Sequence, residues 1–145
     1  MSLRKNFKTD PKLERNGVEL DYGDAVITVA RAGGSNRPYR QALAKGVRPY
    51  RAAIDAETIE DETLLPIMIR TFVDHVVLDW KTRRSDKTLV PGIEGVEGPD
   101  GELLPYTKDN AYAFLLEVPE LYRQMQTAAA GTKYFLEDLE TAAKN

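Results

Sequence analysis

Three residues limit what the last third of this chain can build. Thr107 can cap a helix with its hydroxyl, Pro119 is tolerated at a helix's first position, and Gly131 stops one. Between them run two apolar stripes at helical spacing, Ala111, Phe114, Leu115 and Val118, then Leu121, Tyr122, Met125 and Ala129. A last amphipathic helix is expected to bring Phe135, Leu136, Leu139 and Ala143 together. Helices this short and this lightly greased gain their stability from packing, so they must lean on one another or on a sheet.

The sheet is signalled near the other end. Gly17 to Tyr22 and Ala25 to Arg31 are β-prone runs joined by Gly23-Asp24, a hairpin signature over residues 17–31. Residues 1–16 are polar, carry Pro11, and read as an extended, weakly ordered arm. Residues 35–81 read as helical. Ser35 or Asn36 caps a helix to Lys45, Gly46 ends it, and a short helical piece runs through Ile54. From Glu57, the series Leu64, Ile67, Met68, Phe72, Val76, Leu78 and Trp80 suits a helix ending at Trp80, restarted near Asp61 or Thr63 because of Pro66 and closed by the cations Lys81 to Arg84. Residues 82–106 form a Gly- and Pro-rich connector with a small hairpin around Gly98-Pro99-Asp100-Gly101, and residues 107–145 hold the closing helices. The fold class that follows is α+β: a mostly helical single domain with an N-terminal β-hairpin and a C-terminal set of short helices.

At 145 residues the chain can bury roughly two-thirds of the surface its unfolded form exposes, so it needs neither metal nor disulfide to fold. It has no cysteine, which excludes thiolate chemistry and suits a reducing compartment. No apolar run approaches the roughly 20 residues that cross a bilayer, and the first residues lack the apolar core of a secretory signal. The net charge of −3 is unremarkable, but its distribution is not. Arg31, Arg37, Arg40, Lys45, Arg48 and Arg51 follow one another with no acid between them; Asp55, Glu57, Glu60, Asp61 and Glu62 come directly after. Segregation of this kind attracts an anionic partner, or neutralises itself within one fold or between copies.

Reactive constellations are sparse. His75 is the only histidine, and on a continuous helix it would meet Asp79 at i+4, with no nucleophile motif beside them. Gly33-Gly34-Ser35 ahead of a helix has the outline of an anion nest but matches neither phosphate-loop nor dinucleotide spacing, so a plain turn is the simpler reading. Asp100-Gly101 lacks the alternating acids of a calcium loop. Consecutive acids such as Glu60-Asp61-Glu62 cannot converge on one substrate. No catalytic residue, cofactor site or metal site is assigned, and the chain is read as a non-enzyme. The basic segment 31–51, with Tyr39 and Tyr50 interleaved, is the one pattern suited to nucleic acid, and no nucleic-acid-binding motif accompanies it.

Taken in order, Gly17-Val-Glu-Leu20, Val26 to Asn36, Tyr39, Trp80, Gly95 to Gly101, Leu104-Pro-Tyr-Thr107, Asn110, Leu115-Leu116, Pro119 and the closing Ala-Lys-Asn form a pattern of caps, turns and core positions. In that pattern the chain resembles the tail assembly chaperones of long-tailed, siphovirus-like bacteriophages. It departs from them in a longer and more basic connector over Lys81–Ile93. The resemblance implies a chaperone that coats the long, helical, aggregation-prone tape measure protein, helps recruit tail-tube subunits, works in the host bacterial cytoplasm and is absent from the mature virion. It further implies partner contact through Arg31, Asn36, Tyr39, Met68, Trp80, Tyr106, Tyr122 and Met125, residues that core packing explains equally well. Methionine and tyrosine suit a partner of varied sequence. Self-association is expected, since coating a long partner favours many copies. Ala143-Lys144-Asn145 can be encoded as GCA AAA AAC, which contains the slippery heptamer A AAA AAC, and a second, longer product would follow from it. The rival readings are a structural connector or tail-associated protein of the virion and a nucleic-acid-binding module using segment 31–51.

Overall fold

The computed structural model describes residues 2–94 and 103–137. The first sixteen residues correct the expectation of an extended arm. Two short helices form there, α1 (Leu3–Phe7) and α2 (Pro11–Asn16). Asp10 accepts from the Lys12 amide and Pro11 occupies the first turn of α2, a cap and start signal that outweighs the polar composition. The arm is also tied down at its middle, because Thr9 bridges Leu136 and the Asp10 amide donates to the Phe135 carbonyl at 2.8 Å.

The hairpin forms as expected. β1 (Val18–Asp21) and β2 (Ala25–Val29) pair antiparallel with Leu20 opposite Ile27. The Tyr22 amide donates to the Ala25 carbonyl, which leaves Gly23-Asp24 as the loop, with Gly23 at φ +87° where a side chain would be strained. Asn36 then caps α3 (Arg37–Val47) by accepting from the Tyr39 amide at 3.2 Å. Gly46, expected to end this helix, lies inside it. A Cβ there would sit 3.2 Å from Ile67 Cγ2, so the glycine serves close helix packing rather than termination. A 3-10 turn at Arg48–Tyr50 leads into α4 (Arg51–Asp55), the short helical piece the sequence indicated.

The largest correction falls on residues 57–81. α5 spans only Asp61–His75, and the chain then becomes a strand, β3 (Val77–Arg83), which carries Trp80. Val76 leaves helical geometry, its carbonyl accepts from the Ala30 amide at 2.8 Å, and β3 pairs antiparallel with β2, Trp80 opposite Ile27. The β-branched pair Val76-Val77 favours this turn of events, and the open edge of the hairpin supplies a partner that no local helix signal reveals. Arg83, expected to close a helix, instead pairs its guanidinium with both oxygens of Asp21 at 2.8 Å. That hydrogen bond, aided by the Gly23 amide, holds the Asp21 carboxyl down at about 2.

β4 (Leu89–Pro91) completes a four-stranded antiparallel sheet in the order β1-β2-β3-β4. A smaller ladder joins β5 (Ile93–Glu94) to β6 (Leu103–Leu104). The expected turn at 98–101 lies outside the described residues. α6 (Lys108–Glu117) and α7 (Pro119–Ala130) follow with the boundaries their punctuation dictates, and a single 3-10 turn, Lys133–Phe135, stands where a final amphipathic helix was expected. Leu136 is extended rather than helical, because it meets Thr9 of the arm. Leu139 and Ala143 lie outside the described residues.

The α+β core forms where one face of the sheet meets α5, α6 and α7. Leu20, Ile27 and Trp80 make a row across three strands, and Ile69, Phe72 and Val73 of α5 are fully buried against it. Phe72 receives Tyr39 and Tyr122 edge-on, with ring centroids 6.2 and 5.3 Å away. Trp80 receives Tyr106 and Phe114 in the same way, and its indole N–H donates to the Leu104 carbonyl at 3.0 Å. The start of α6 is fixed by Thr107, whose hydroxyl accepts from the Asn110 amide at 3.0 Å, while Asn110 Nδ2 donates to the Pro105 carbonyl. Thr107→Ala is expected to lower stability by about 1 kcal/mol, read as a shift in the urea midpoint, with Thr107→Ser restoring most of it. An unchanged midpoint would mean the cap carries no weight.

Candidate partner-binding grooves

α7 is a ridge between two grooves. Its inner stripe, Tyr122, Met125 and Ala129, is buried in the core, while Glu120, Arg123, Gln124 and Thr127 face solvent. This division follows from the i, i+3, i+7 spacing of the apolar residues. On one side, between α7 and the first half of α5, lies a groove of about 440 Å³ whose apolar wall is Leu64, Leu65 and Met68. On the other, between α7 and the 3-10 turn, a groove of about 630 Å³ is lined by Ala128, Gly131 and Tyr134 together with the polar Glu120, Gln124, Thr132 and Lys133. Arg123 and Thr127 belong to both. A third, more apolar pocket of about 320 Å³ lies between the hairpin and the helices, lined by Tyr22, Ile27, Ile93, Phe114 and Leu121. Burial, with a contribution from Tyr134, pushes the Tyr22 hydroxyl above its usual range.

The eight residues assigned to partner contact are not gathered in one place. Met68 and Tyr122 line the α5–α7 groove. Tyr39, Trp80, Tyr122 and Met125 are buried at 5% exposure or less. Burial pushes the Tyr122 hydroxyl to about 12, and that hydroxyl has no hydrogen-bond partner among the described residues. Tyr106 donates its hydroxyl to the Val77 carbonyl at 2.6 Å. Asn36, besides capping α3, donates Nδ2 to the Arg31 and His75 carbonyls and so fastens α3 to β2 and α5. Arg31 is 13% exposed and pairs with Glu14 at 2.7 Å. Tyr122 lines the groove but also packs on Phe72, so apart from Met68 these side chains meet the protein itself.

Other candidate motifs resolve into architecture. The helix needed for a His75–Asp79 pair at i, i+4 ends at His75, so Asp79 stands on β3. Gly34 has φ +56°, and a Cβ there would lie 2.6 Å from the Arg31 guanidinium and 3.0 Å from Glu14, so the glycine pair lets the chain pass over that ion pair. Among the described residues, no cluster of three or more His, Cys, Asp or Glu is placed to hold a metal, and no helix is long and apolar enough to cross a membrane.

Sequence reasoning missed Leu65, Thr127, Ala128 and Tyr134 as groove residues. Helical spacing placed Leu64 and Met68 on one side of a helix, but which part of an apolar face stays uncovered depends on how widely α5 and α7 are set apart, a tertiary quantity.

Comparison with curated proteins and with solved structures gives no match. The sequence model of one family, described as YdaY prophage protein, matches residues 34–145. The matched span opens just before α3 and takes in α5, β3 and both helices that flank the grooves, leaving only the arm and hairpin outside. Since it covers well over half of the sequence, the chain belongs to the YdaY family of prophage proteins.

Proposed function

We propose that this phage protein is a non-catalytic tail assembly chaperone that shelters apolar helices of the tape measure protein in the grooves beside α7, and that it helps recruit tail-tube subunits. The observation that carries the reading is the pair of shallow troughs sharing one ridge, each with apolar side chains set among polar ones, an adaptable methionine in one and an exposed tyrosine in the other. A trough between helices is the shape that accepts the greasy stripe of an amphipathic helix. Support also comes from the phage family and from the sequence resemblance through Trp80, Leu104 to Thr107 and Pro119, of which Leu104 and Tyr106 meet at the indole. On this reading the protein acts in the host cytoplasm and leaves before the virion is complete.

Thr127 tests the proposal because it is exposed and belongs to both grooves. When the protein is co-expressed with the tape measure protein encoded by the same phage, that client is expected to become soluble. Thr127→Glu is expected to weaken client binding about tenfold, by setting a charge against an apolar helix, with no change in thermal unfolding. Equal solubilisation by the variant, or stoichiometric recovery of the protein from purified virions, would overturn the reading.

A further inference from the structure

The segregated charges end up on two separate, solvent-facing surfaces. Arg37, Arg40, Gln41, Ala44, Lys45 and Arg48 are all exposed, at the i, i+3, i+4, i+7, i+8, i+11 spacing that puts them on one face of α3 and its 3-10 extension. The opposite face packs Tyr39, Leu43 and Gly46 towards α5. Four cations thus line a stripe about 16 Å long, and none makes an ion pair among the described residues. Within the two charge blocks, only Arg51 and Asp55 pair across the sequence boundary, at 3.7 Å and both widely exposed.

The acids are presented elsewhere. Asn36 lies beside His75 and Gly46 beside Ile67, so α3 and α5 run antiparallel and the acidic turn Glu57–Glu62 projects past the end of the cationic stripe rather than over it. Glu57, Glu60, Asp61 and Glu62 are exposed, and the turn is held in place by the Thr58 and Ile59 amides, which both donate to the Ala53 carbonyl. Among the described residues the two surfaces form no ion pair with each other within one molecule, yet each is the complement of the other.

We propose that the cationic face of α3 is a docking surface for the acidic turn 57–62 of a second copy of this chain. A face of four cations repels its own kind, so like faces are kept apart and the register between copies is set by charge. The contact meets the grooves beside α7 only at Asp61, which also lines the α5–α7 groove, and it does not depend on the client.

Analytical ultracentrifugation of the full chain tests this. Wild type is expected to self-associate at low ionic strength, with affinity falling at least about tenfold between about 50 mM and about 500 mM salt as screening shortens the reach of the charges. Arg40→Glu/Arg48→Glu and Glu60→Lys/Glu62→Lys should each be monomeric where wild type associates, and an equimolar mixture of the two should associate again. That restoration also shows that both variants are folded. A wild type that is monomeric at low salt, association that survives both charge reversals, or a mixture that stays monomeric would overturn the proposal. So would a gel-shift with duplex DNA abolished by Arg40→Glu/Arg48→Glu while the association state is unchanged, since the face would then serve nucleic acid.

Discussion

Trp80→Ala is expected to lower unfolding free energy by about 4 kcal/mol, the upper part of the range for aromatic truncation in a core. The indole is 2% exposed and sits mid-strand opposite Ile27, so nothing mobile can fill the space it leaves. Two further losses accompany the cavity. Tyr106 and Phe114 lose their edge-on partner, and the Leu104 carbonyl loses its donor. Guanidinium unfolding followed by tyrosine fluorescence measures the cost, and Trp80→Phe, which keeps the ring stacking but not the N–H, should recover about half of it. A loss below about 1 kcal/mol would show that the site collapses freely.

Glu14→Ala is expected to be the next most damaging change, at about 3 kcal/mol, because it strands the Arg31 guanidinium where little water reaches it. Glu14 is 7% exposed, accepts from Arg31 through one oxygen and from Thr9 through the other, and so ties α2 to the end of β2. The same substitution is expected to make the arm cleavable by protease under native conditions, whereas wild type resists. The double variant Glu14→Ala/Arg31→Met should be more stable than Glu14→Ala alone, since it removes the uncompensated charge. If the single and double variants are equally stable, the ion pair carries no such burden.

What the amino-acid order disclosed was mostly punctuation. Gly23-Asp24, Asn36, Thr107, Pro119 and Gly131 act through their own backbone neighbours, so the hairpin, the start of α3 and both ends of α7 could be placed without knowing the fold. Residues 76–81 could not be placed in the same way. Their apolar spacing satisfies a helix, and only pairing with β2, more than forty residues upstream, converts them to a strand. Gly46 misled for a related reason, since its task is contact with Ile67 and not termination. Of the candidate site, Met68 was legible as an adaptable side chain on a helix, whereas Thr127 and Ala128 acquire meaning only from the gaps on either side of α7.

The pairing of residues 8–10 with residues 135–137 carries a consequence for how the molecule is made. The Lys8 carbonyl accepts from the Glu137 amide, Asp10 donates to Phe135, and Phe135 is fully buried. A ribosome releases the first of these segments long before the second, so the turn at residues 8–10 must wait, unclasped, for residues 135–137. Vectorial synthesis therefore cannot finish this fold piece by piece: closure awaits residues 135–137, and a nascent chain stalled short of Phe135 would leave residues 8–10 loose.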